Sequence, residues 1–327
     1  MISKLWVIKS PGYDPYYNLA LEKHLFDQVK ADECILYLWQ NQKTVVVGRN
    51  QLAGNECNIR LLQQEGGHLV RRMSGGGAVY HDLGNVNFTF LLSSRNFDEA
   101  RQSEVILQAL RKLGIDGEKN GRNDLTIDGR KFSGHAYYHH NHHSYHHGTI
   151  MLDVDKQQMG RYLSVSQLKL QDKHVQSVRS RVINLHQLKP DLTVGQLQDA
   201  LISSFAEVYQ GEVRPFPPER LDEDELARLQ IHFASPQWVL DKEKKFACSK
   251  EKKYAWGILR IDYDLKDGVI TDCAIYSDSL QVDYLSKVGR LIRKKKIDEL
   301  DKALTEEKYQ QINDDIIDLL KETEDQL

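Results

Sequence analysis

Apolar residues at 19, 21, 25 and 26 fall on one face of a predicted helix over 15–28, with Asn18 as a candidate cap. Residues 35–39 and 44–48 read as strands separated by a polar turn, and 58–65 as a short helix. Val86, Phe88, Phe90 and Leu92 alternate with Asn87 and Thr89, the pattern of a half-buried strand. A helix is predicted over 98–113 and is stopped by Gly114. Asp128-Gly129 between two short apolar runs signals a two-residue hairpin that lays Asn123 and Asp124 opposite Ser133 and Gly134. A strand over 148–152 and a short helix over 156–163 follow, then an amphipathic helix over 194–209 with Leu197, Leu201, Phe205 and Val208 on one face. Pro215, Pro217 and Pro218 break the pattern before an acidic-starting helix over 221–229.

The charged run 241–245 is a linker candidate and divides the chain into 1–245 and 246–327. Beyond it, strands over 255–263 and 269–276 are joined by Asp267-Gly268. Helices over 282–294 and 306–320 follow, the second capped by Thr305 and turning Ile312, Ile316 and Leu319 to a core. That is a small α+β module. A length of 327 residues fits one large domain plus this small one.

Composition narrows the classes. With 40% hydrophobic and 28% charged residues the chain is ordinary for a globular protein, and a net charge of −3 gives no global attraction to nucleic acid or anionic membrane. The basic run 293–296 reads as a solvated helix end. No signal-peptide pattern and no spanning apolar window is present, so the expected location is cytoplasmic. Cys34, Cys57, Cys248 and Cys273 are too widely spaced for a structural zinc site or a disulfide framework. A phosphate-binding P-loop and a G-x-S-x-G nucleophile elbow are both absent. Between Cys57 and Cys248 there is no thiol for acyl-enzyme chemistry.

Three stretches carry candidate chemistry. In 69–81, three consecutive glycines, Gly75 to Gly77, leave backbone N–H groups free to converge on an anion, with Arg71 and Arg72 beside them; the alternative is a plain hairpin turn. Lys131, on the returning strand of the Asp128-Gly129 hairpin, is either a clamp for a substrate anion or a solvated edge-strand lysine. Seven of the 13 histidines lie in 135–147. They raise a metal hypothesis, but no zinc-protease or deaminase spacing accompanies them, so the run reads as a polar surface loop.

Together these pieces carry a resemblance. The stretch 71–85 (RRMSGGGAVYHDLGN), 121–125 (GRNDL), 128–134 (DGRKFSG), 147–149 (HGT) and 177–185 (SVRSRVINL) resemble, in order, the bacterial single-chain lipoate–protein ligases of the biotin/lipoate ligase superfamily. The resemblance implies an α+β fold: a catalytic domain of mixed β-sheets flanked by helices, plus a small C-terminal accessory domain. It implies ATP-dependent formation of lipoyl-AMP with release of pyrophosphate, then lipoyl transfer to a lysine of lipoyl domains. Those acceptors would be the 2-oxoacid dehydrogenase E2 subunits and the glycine cleavage H protein, with no nucleic-acid or membrane partner and a monomer as default.

On the same basis Lys131 is the catalytic residue, touching the carboxylate and the α-phosphate. Arg72, Gly77, Ala78, Val79 and Tyr80 match the nucleotide-contacting stretch. Asn123 and Asp124 are candidates for adenylate contact, and Asp124 for Mg2+, the alternative for both being simple turn residues. Trp39 would wall the tunnel for the alkyl chain and dithiolane, with Ser74, Gly76, His81 and His147 on the acyl side. Core or loop roles stay open for both histidines. The histidine-rich run 139–146 departs from the family pattern and is expected to be a loop covering the acyl site. The rival readings are an octanoyl or lipoyl transferase acting between carrier proteins, a biotin ligase, and a non-catalytic lipoyl- or metal-binding protein.

Overall fold

The computed structural model describes residues 2–121, 123–164, 182–240 and 244–322. Its strands are β1 (Lys4–Lys9), β2 (Glu33–Trp39), β3 (Thr44–Val47), β4 (His68–Arg71), β5 (Val79–His81), β6 (Asn85–Ser93) and β7 (Glu118–Asn120). These are followed by β8 (Asp124–Ile127), β9 (Arg130–His140), β10 (His143–Met151), β11 (Val213–Pro215), β12 (Cys248–Tyr254), β13 (Gly257–Lys266) and β14 (Val269–Ser277). One eight-stranded sheet runs in the order β11-β1-β2-β6-β10-β9-β8-β7, and a three-stranded sheet runs β4-β3-β5. Parallel pairing is confined to β11-β1-β2 and β3-β4; the remaining pairs in these two sheets are antiparallel.

β6 runs through the middle of the large sheet and is buried along its whole length, not half-buried as its alternation suggests. One face carries Val86, Phe88, Phe90 and Leu92 into a core with Val105, Ile106, Leu197, Leu201 and Phe205 from the helices Glu99–Lys112 and Val194–Tyr209. Burial of each such side chain contributes about 1.5–3 kcal/mol. The other face, where the polar Asn87 and Thr89 point, is covered by the helix Pro15–Gln28, which packs Leu25 and Phe26 against Tyr37, Leu91 and Tyr145. The polar positions of β6 are therefore interior groups that need partners.

Several local expectations are corrected. The cap of Pro15–Gln28 is Asp14, which accepts from the Tyr16 N–H at 2.9 Å, while Asn18 lies inside the helix and is wholly buried. The C-terminal helix begins at Gln310 after a turn of 3₁₀ helix, so Thr305 does not cap it. The histidine-rich run is no loop: β9 and β10 form a hairpin turned by Asn141 and His142, both in the left-handed region at φ 47° and 67°. That is the conformation a two-residue hairpin demands. Residues 241–243 of the charged linker and 165–181, which include Ser177 to Arg181 of the stretch 177–185, lie outside the described residues.

The meander β12-β13-β14 is covered by the helices Val282–Ile292 and Gln310–Lys321 and has a core of its own around Leu259, Ile261, Val288, Ile316 and Leu320. It touches the rest of the chain at Asn50, whose carbonyl accepts from the Ser277 N–H at 2.8 Å and whose side chain donates to the Val282 carbonyl at 3.1 Å.

Candidate active site

Two cavities meet at Lys131. The smaller, about 140 Å³, is walled by Leu19, Trp39, Val46 and Ala136 with His81, Asn87, His135 and His147 among them. The larger, about 730 Å³, lies over Tyr80, Asn85, Asp124, Arg130 and Met151. Ala78, Val79, Lys131 and Thr149 line both.

The β8-β9 hairpin positions the lysine. A bulge between Leu125 and Thr126 shifts the register, so that Thr126 faces Lys131 while Asp124 faces Gly134. The Lys131 ammonium lies 2.8 Å from the Asp124 carboxylate and over Gly134, where a Cβ would come within 2.6 Å of it. Both ion-pair partners are about one-third exposed, so the lysine is fixed yet open to a ligand. Asn123 is tied to His135 in both directions: its amide donates to the His135 carbonyl at 3.0 Å and its own carbonyl accepts the His135 N–H at 2.8 Å. These bonds brace the hairpin end at the rim of the smaller cavity, where the resemblance places an adenylate contact.

The glycine stretch behaves differently from a simple anion nest. Gly75 is where the C-terminal module approaches most closely, since a Cβ there would collide with the Ser279 carbonyl, and the Gly76 N–H points to that same carbonyl at 3.4 Å. Gly76 has φ 88°, which favours glycine, and its carbonyl leaves no room for a side chain at Gly48. Only Gly77 has open space where a side chain would be. Both Gly76 and Gly77 line the smaller cavity, and of the stretch expected to touch nucleotide, Ala78 and Val79 reach both cavities and Tyr80 the larger one.

The arginines are internal braces. Arg71 is fully buried and donates to the carbonyls of Gly48, Arg49, Gln51, Trp238 and Val239, away from both cavities. Arg72 lines the smaller cavity, but its guanidinium donates to Ser74 Oγ at 3.0 Å and to the carbonyls of Val46, Gly75 and Gly77. These bonds let its guanidinium shape the loop that would receive an anion. Burial lowers its pKa to about 10, which leaves it charged at neutral pH.

Ser74, expected on the acyl side, is wholly buried and lines neither cavity. It is one link in a polar chain that sequence reasoning missed. Trp39 Nε1 donates to Thr89 Oγ1 (3.1 Å), Thr89 Oγ1 donates to Glu22 Oε1 (2.7 Å), and His147 bridges Glu22 (Nδ1, 2.8 Å) to Ser74 Oγ (Nε2, 2.7 Å). Nδ1 donates to the carboxylate, Nε2 pairs with the Ser74 hydroxyl, and Ser74 Oγ accepts from Arg72. This chain locks helix, sheet and glycine loop into one wall. A signal did exist: Glu22 is an acid on the stripe that Leu19 and Phe26 make apolar.

A second buried chain lies behind the cavity. Ser133 Oγ bonds His135 Nε2 (3.0 Å), His135 Nδ1 bonds His146 Nε2 (2.9 Å), and His146 Nδ1 bonds Gln102 Oε1 (2.9 Å). Burial drives the His135 pKa down to about 3 and that of His146 well down, so both rings are neutral. Among the described residues no three His, Cys, Asp or Glu side chains come together to hold a metal ion. No cysteine lines either cavity, and burial pushes the Cys34 thiol up to about 12 and Cys57 up to about 11. Among the described residues no helix is long and apolar enough to cross a membrane.

Comparison with known proteins agrees with this layout. Residues 14–206 match the lipoyl protein ligase A/B catalytic domain and residues 243–323 the bacterial lipoate protein ligase C-terminus. Lipoate-protein ligase A of Psychrobacter cryohalolentis is 38% identical over 308 residues, 91% of this chain and 90% of that protein. The crystal structure of P. falciparum LipL1 in complex with lipoate is 26% identical and superposes at a TM-score of 0.83 over 97% of this chain and 99% of that one. A bi-partite lipoate protein ligase of Thermoplasma acidophilum, described with its E2 lipoyl domain, is 26% identical with a TM-score of 0.65 over 76% of this chain and 100% of that one. The α+β architecture with a C-terminal module is thus that of lipoate ligases, and this chain belongs to the lipoate–protein ligase family.

Proposed function

We propose that this chain couples ATP to lipoate activation and lipoyl transfer. In the first step a lipoate carboxylate oxygen forms a bond to the α-phosphorus of ATP and the bond to pyrophosphate breaks, giving lipoyl-AMP. In the second, the ε-amine of an acceptor lysine forms a C–N bond to the acyl carbon, AMP leaves, and the amine proton is lost to solvent. Acceptors of this kind are lipoyl domains, including E2 subunits of 2-oxoacid dehydrogenases and the glycine cleavage H protein.

The observation that carries this reading is the position of Lys131, the cation common to both cavities. A narrow, largely apolar cavity suits an acyl chain, and burial of such a chain contributes about 0.8 kcal/mol per CH₂. The larger cavity suits a nucleotide. An ammonium at their junction offsets the repulsion between two anions that must approach each other. Asp124 orients it, and Thr149 Oγ1, which accepts the Gly134 N–H at 3.3 Å, steadies the strand beside it.

Mg2+ would suit the larger cavity as a companion of ATP. Magnesium keeps most of its shell as water and substrate phosphate and needs only one or two protein carboxylates; of Asp124 and Asp128, which line the larger cavity, Asp124 stands beside Lys131 and would hold it. It would supply charge neutralisation of the phosphates. A cytoplasmic, ATP-containing setting and a monomeric chain fit this chemistry.

The absence of a thiol at the cavities disfavours a cysteine-dependent transferase, and the absence of a metal-holding cluster among the described residues disfavours a metal-binding protein. Incubation with ATP, magnesium and lipoate, with and without a lipoyl domain, tests the reading by pyrophosphate release and by acceptor mass. ATP-dependent lipoyl addition to one lysine is expected; transfer without ATP, or no transfer, overturns it.

A further inference from the structure

The smaller cavity is not uniformly apolar at the end away from Lys131. Asn41 accepts at its oxygen from Asn18 Nδ2 (2.9 Å), so its own amide nitrogen is the group 3.3 Å from His81 Nδ1. His81 Nδ1 therefore accepts, and the ring proton sits on Nε2. Burial brings the His81 pKa down to about 3, so the ring is neutral and carries that single N–H. Asn87 accepts at Oδ1 from Asn85 Nδ2 (2.9 Å), which leaves its Nδ2 as a donor. Both residues line the cavity and are buried, at 3% and 1% exposure. Neither His81 Nε2 nor Asn87 Nδ2 has a hydrogen-bond partner among the described residues. A buried donor left without an acceptor is costly, and two beside one cavity mark a place where a ligand acceptor belongs.

The sheet measures how far that place is from the reacting end. Trp39 pairs with Asn87, Asn87 with Thr149, and Asp124 with Gly134, while the Gly134 N–H reaches Thr149 Oγ1. These residues form one row across neighbouring strands. Asn87 is two strand spacings, about 10 Å, from Gly134 and the ammonium above it. That is comparable to an extended lipoate from carboxylate to ring. Trp39 closes this end with its ring, 6.1 Å from His81 edge-to-face, and turns its own N–H away to Thr89.

We propose that His81 and Asn87 are a donor pair for the dithiolane sulfurs, making this end of the cavity selective for lipoate over acids of equal shape that lack an acceptor there. The proposal rests on the ligase reading for the orientation of the acid. Sulfur is a weak acceptor, so the gain from the contact itself is modest. Most of the discrimination comes from what the wrong ligand does: a carbocycle covers both donors and pairs neither.

The test compares lipoate with 5-cyclopentylpentanoate, which has methylenes where lipoate has sulfurs, in the wild-type chain and in Asn87→Leu. Binding of each free acid is measured by calorimetry, and pyrophosphate release with ATP is measured alongside. Wild type should bind lipoate about fivefold or more tightly than the carbocycle. Asn87→Leu should bring the two affinities together, with the carbocycle gaining and lipoate losing. Equal affinities in wild type overturn the proposal and assign the donors to bound water, without needing the variant to fold. An affinity ratio that Asn87→Leu leaves unchanged also overturns it. Binding selectivity without pyrophosphate release would instead leave the subsite standing and remove the ligase reading.

Discussion

The ammonium of Lys131 occupies the space that Gly134 leaves by having no side chain, three residues along the same strand. An added Cβ would meet Nζ at 2.6 Å and Cε at 2.7 Å, both at the far end of a flexible side chain. Gly134→Ala should therefore displace the lysine without disturbing backbone packing. Adenylate formation is expected to fall roughly 10- to 100-fold, because displacement of a positioned group by about 1 Å is costly, while the melting temperature stays within a few degrees of wild type. Pyrophosphate-release kinetics and a thermal melt check both halves. A large loss of stability would mean that Gly134 serves packing alone.

Lys131→Ala removes the charge itself. Loss of one positioned electrostatic group lowers a rate by about 10²–10³-fold, and the side chain is about one-third exposed, so folding should survive. Lys131→Arg should recover little, since the planar guanidinium cannot stand as a point charge in the space over Gly134. Undiminished lipoate-dependent pyrophosphate release by Lys131→Ala would remove this residue from the chemistry.

Both predictions start from a residue that sequence could mark but not place. The Asp128-Gly129 turn was legible because its φ values of 48° and 72° admit few other residues, and it fixed Thr126 opposite Lys131; the bulge beyond Thr126 that brings Asp124 opposite Gly134 left no local signal. The helix over 194–209 was legible from its one apolar stripe, to which the structure adds a capping box at Thr193. The roles of Arg71, Arg72 and Ser74 were hidden, because a basic or hydroxyl residue beside glycines looks alike whether it faces a ligand or a carbonyl. What decided them was long-range packing of the 238–239 segment and of His147, which no local pattern carries. The histidine run misled for the opposite reason: polar composition suggested a loop, while His135, His146 and His147 pair internally and can be buried in strands.

Gly75 gives a prediction about the two parts of the chain. Its missing Cβ lets the Ser279 carbonyl and Leu280 backbone sit against the glycine stretch, and neither is a flexible side-chain end. Gly75→Ala must push that segment back and weaken the Gly76 N–H to Ser279 contact. Amide exchange at Gly76 should speed up by about tenfold or more, as expected when a locally packed segment opens more readily. Amides of the core around Leu259 and Ile316 should keep their protection, because that core is independent of the contact. Unchanged exchange at Gly76 would show that the contact does not hold the segment in solution.

The last prediction concerns acid. In the chain Ser133, His135, His146, Gln102 burial keeps both rings neutral, and each ring accepts at Nε2 and donates at Nδ1. Protonating His135 would place a charge in a site that burial has already made hostile to it. The folded pKa of about 3 lies below the ordinary value of 6.5, so the unfolded chain binds the proton more readily. The stability this group contributes is thus present above pH 6.5 and is lost as pH falls from there toward 3. Each such histidine steepens the loss by up to about 1.4 kcal/mol per pH unit, and His81, also at about 3, adds to the slope. Denaturant unfolding of wild type should show falling stability between pH 6.5 and pH 4, and His135→Gln should show a shallower slope, whatever its stability at pH 7. Parallel slopes for the two proteins would mean that His135 does not titrate on unfolding in this range.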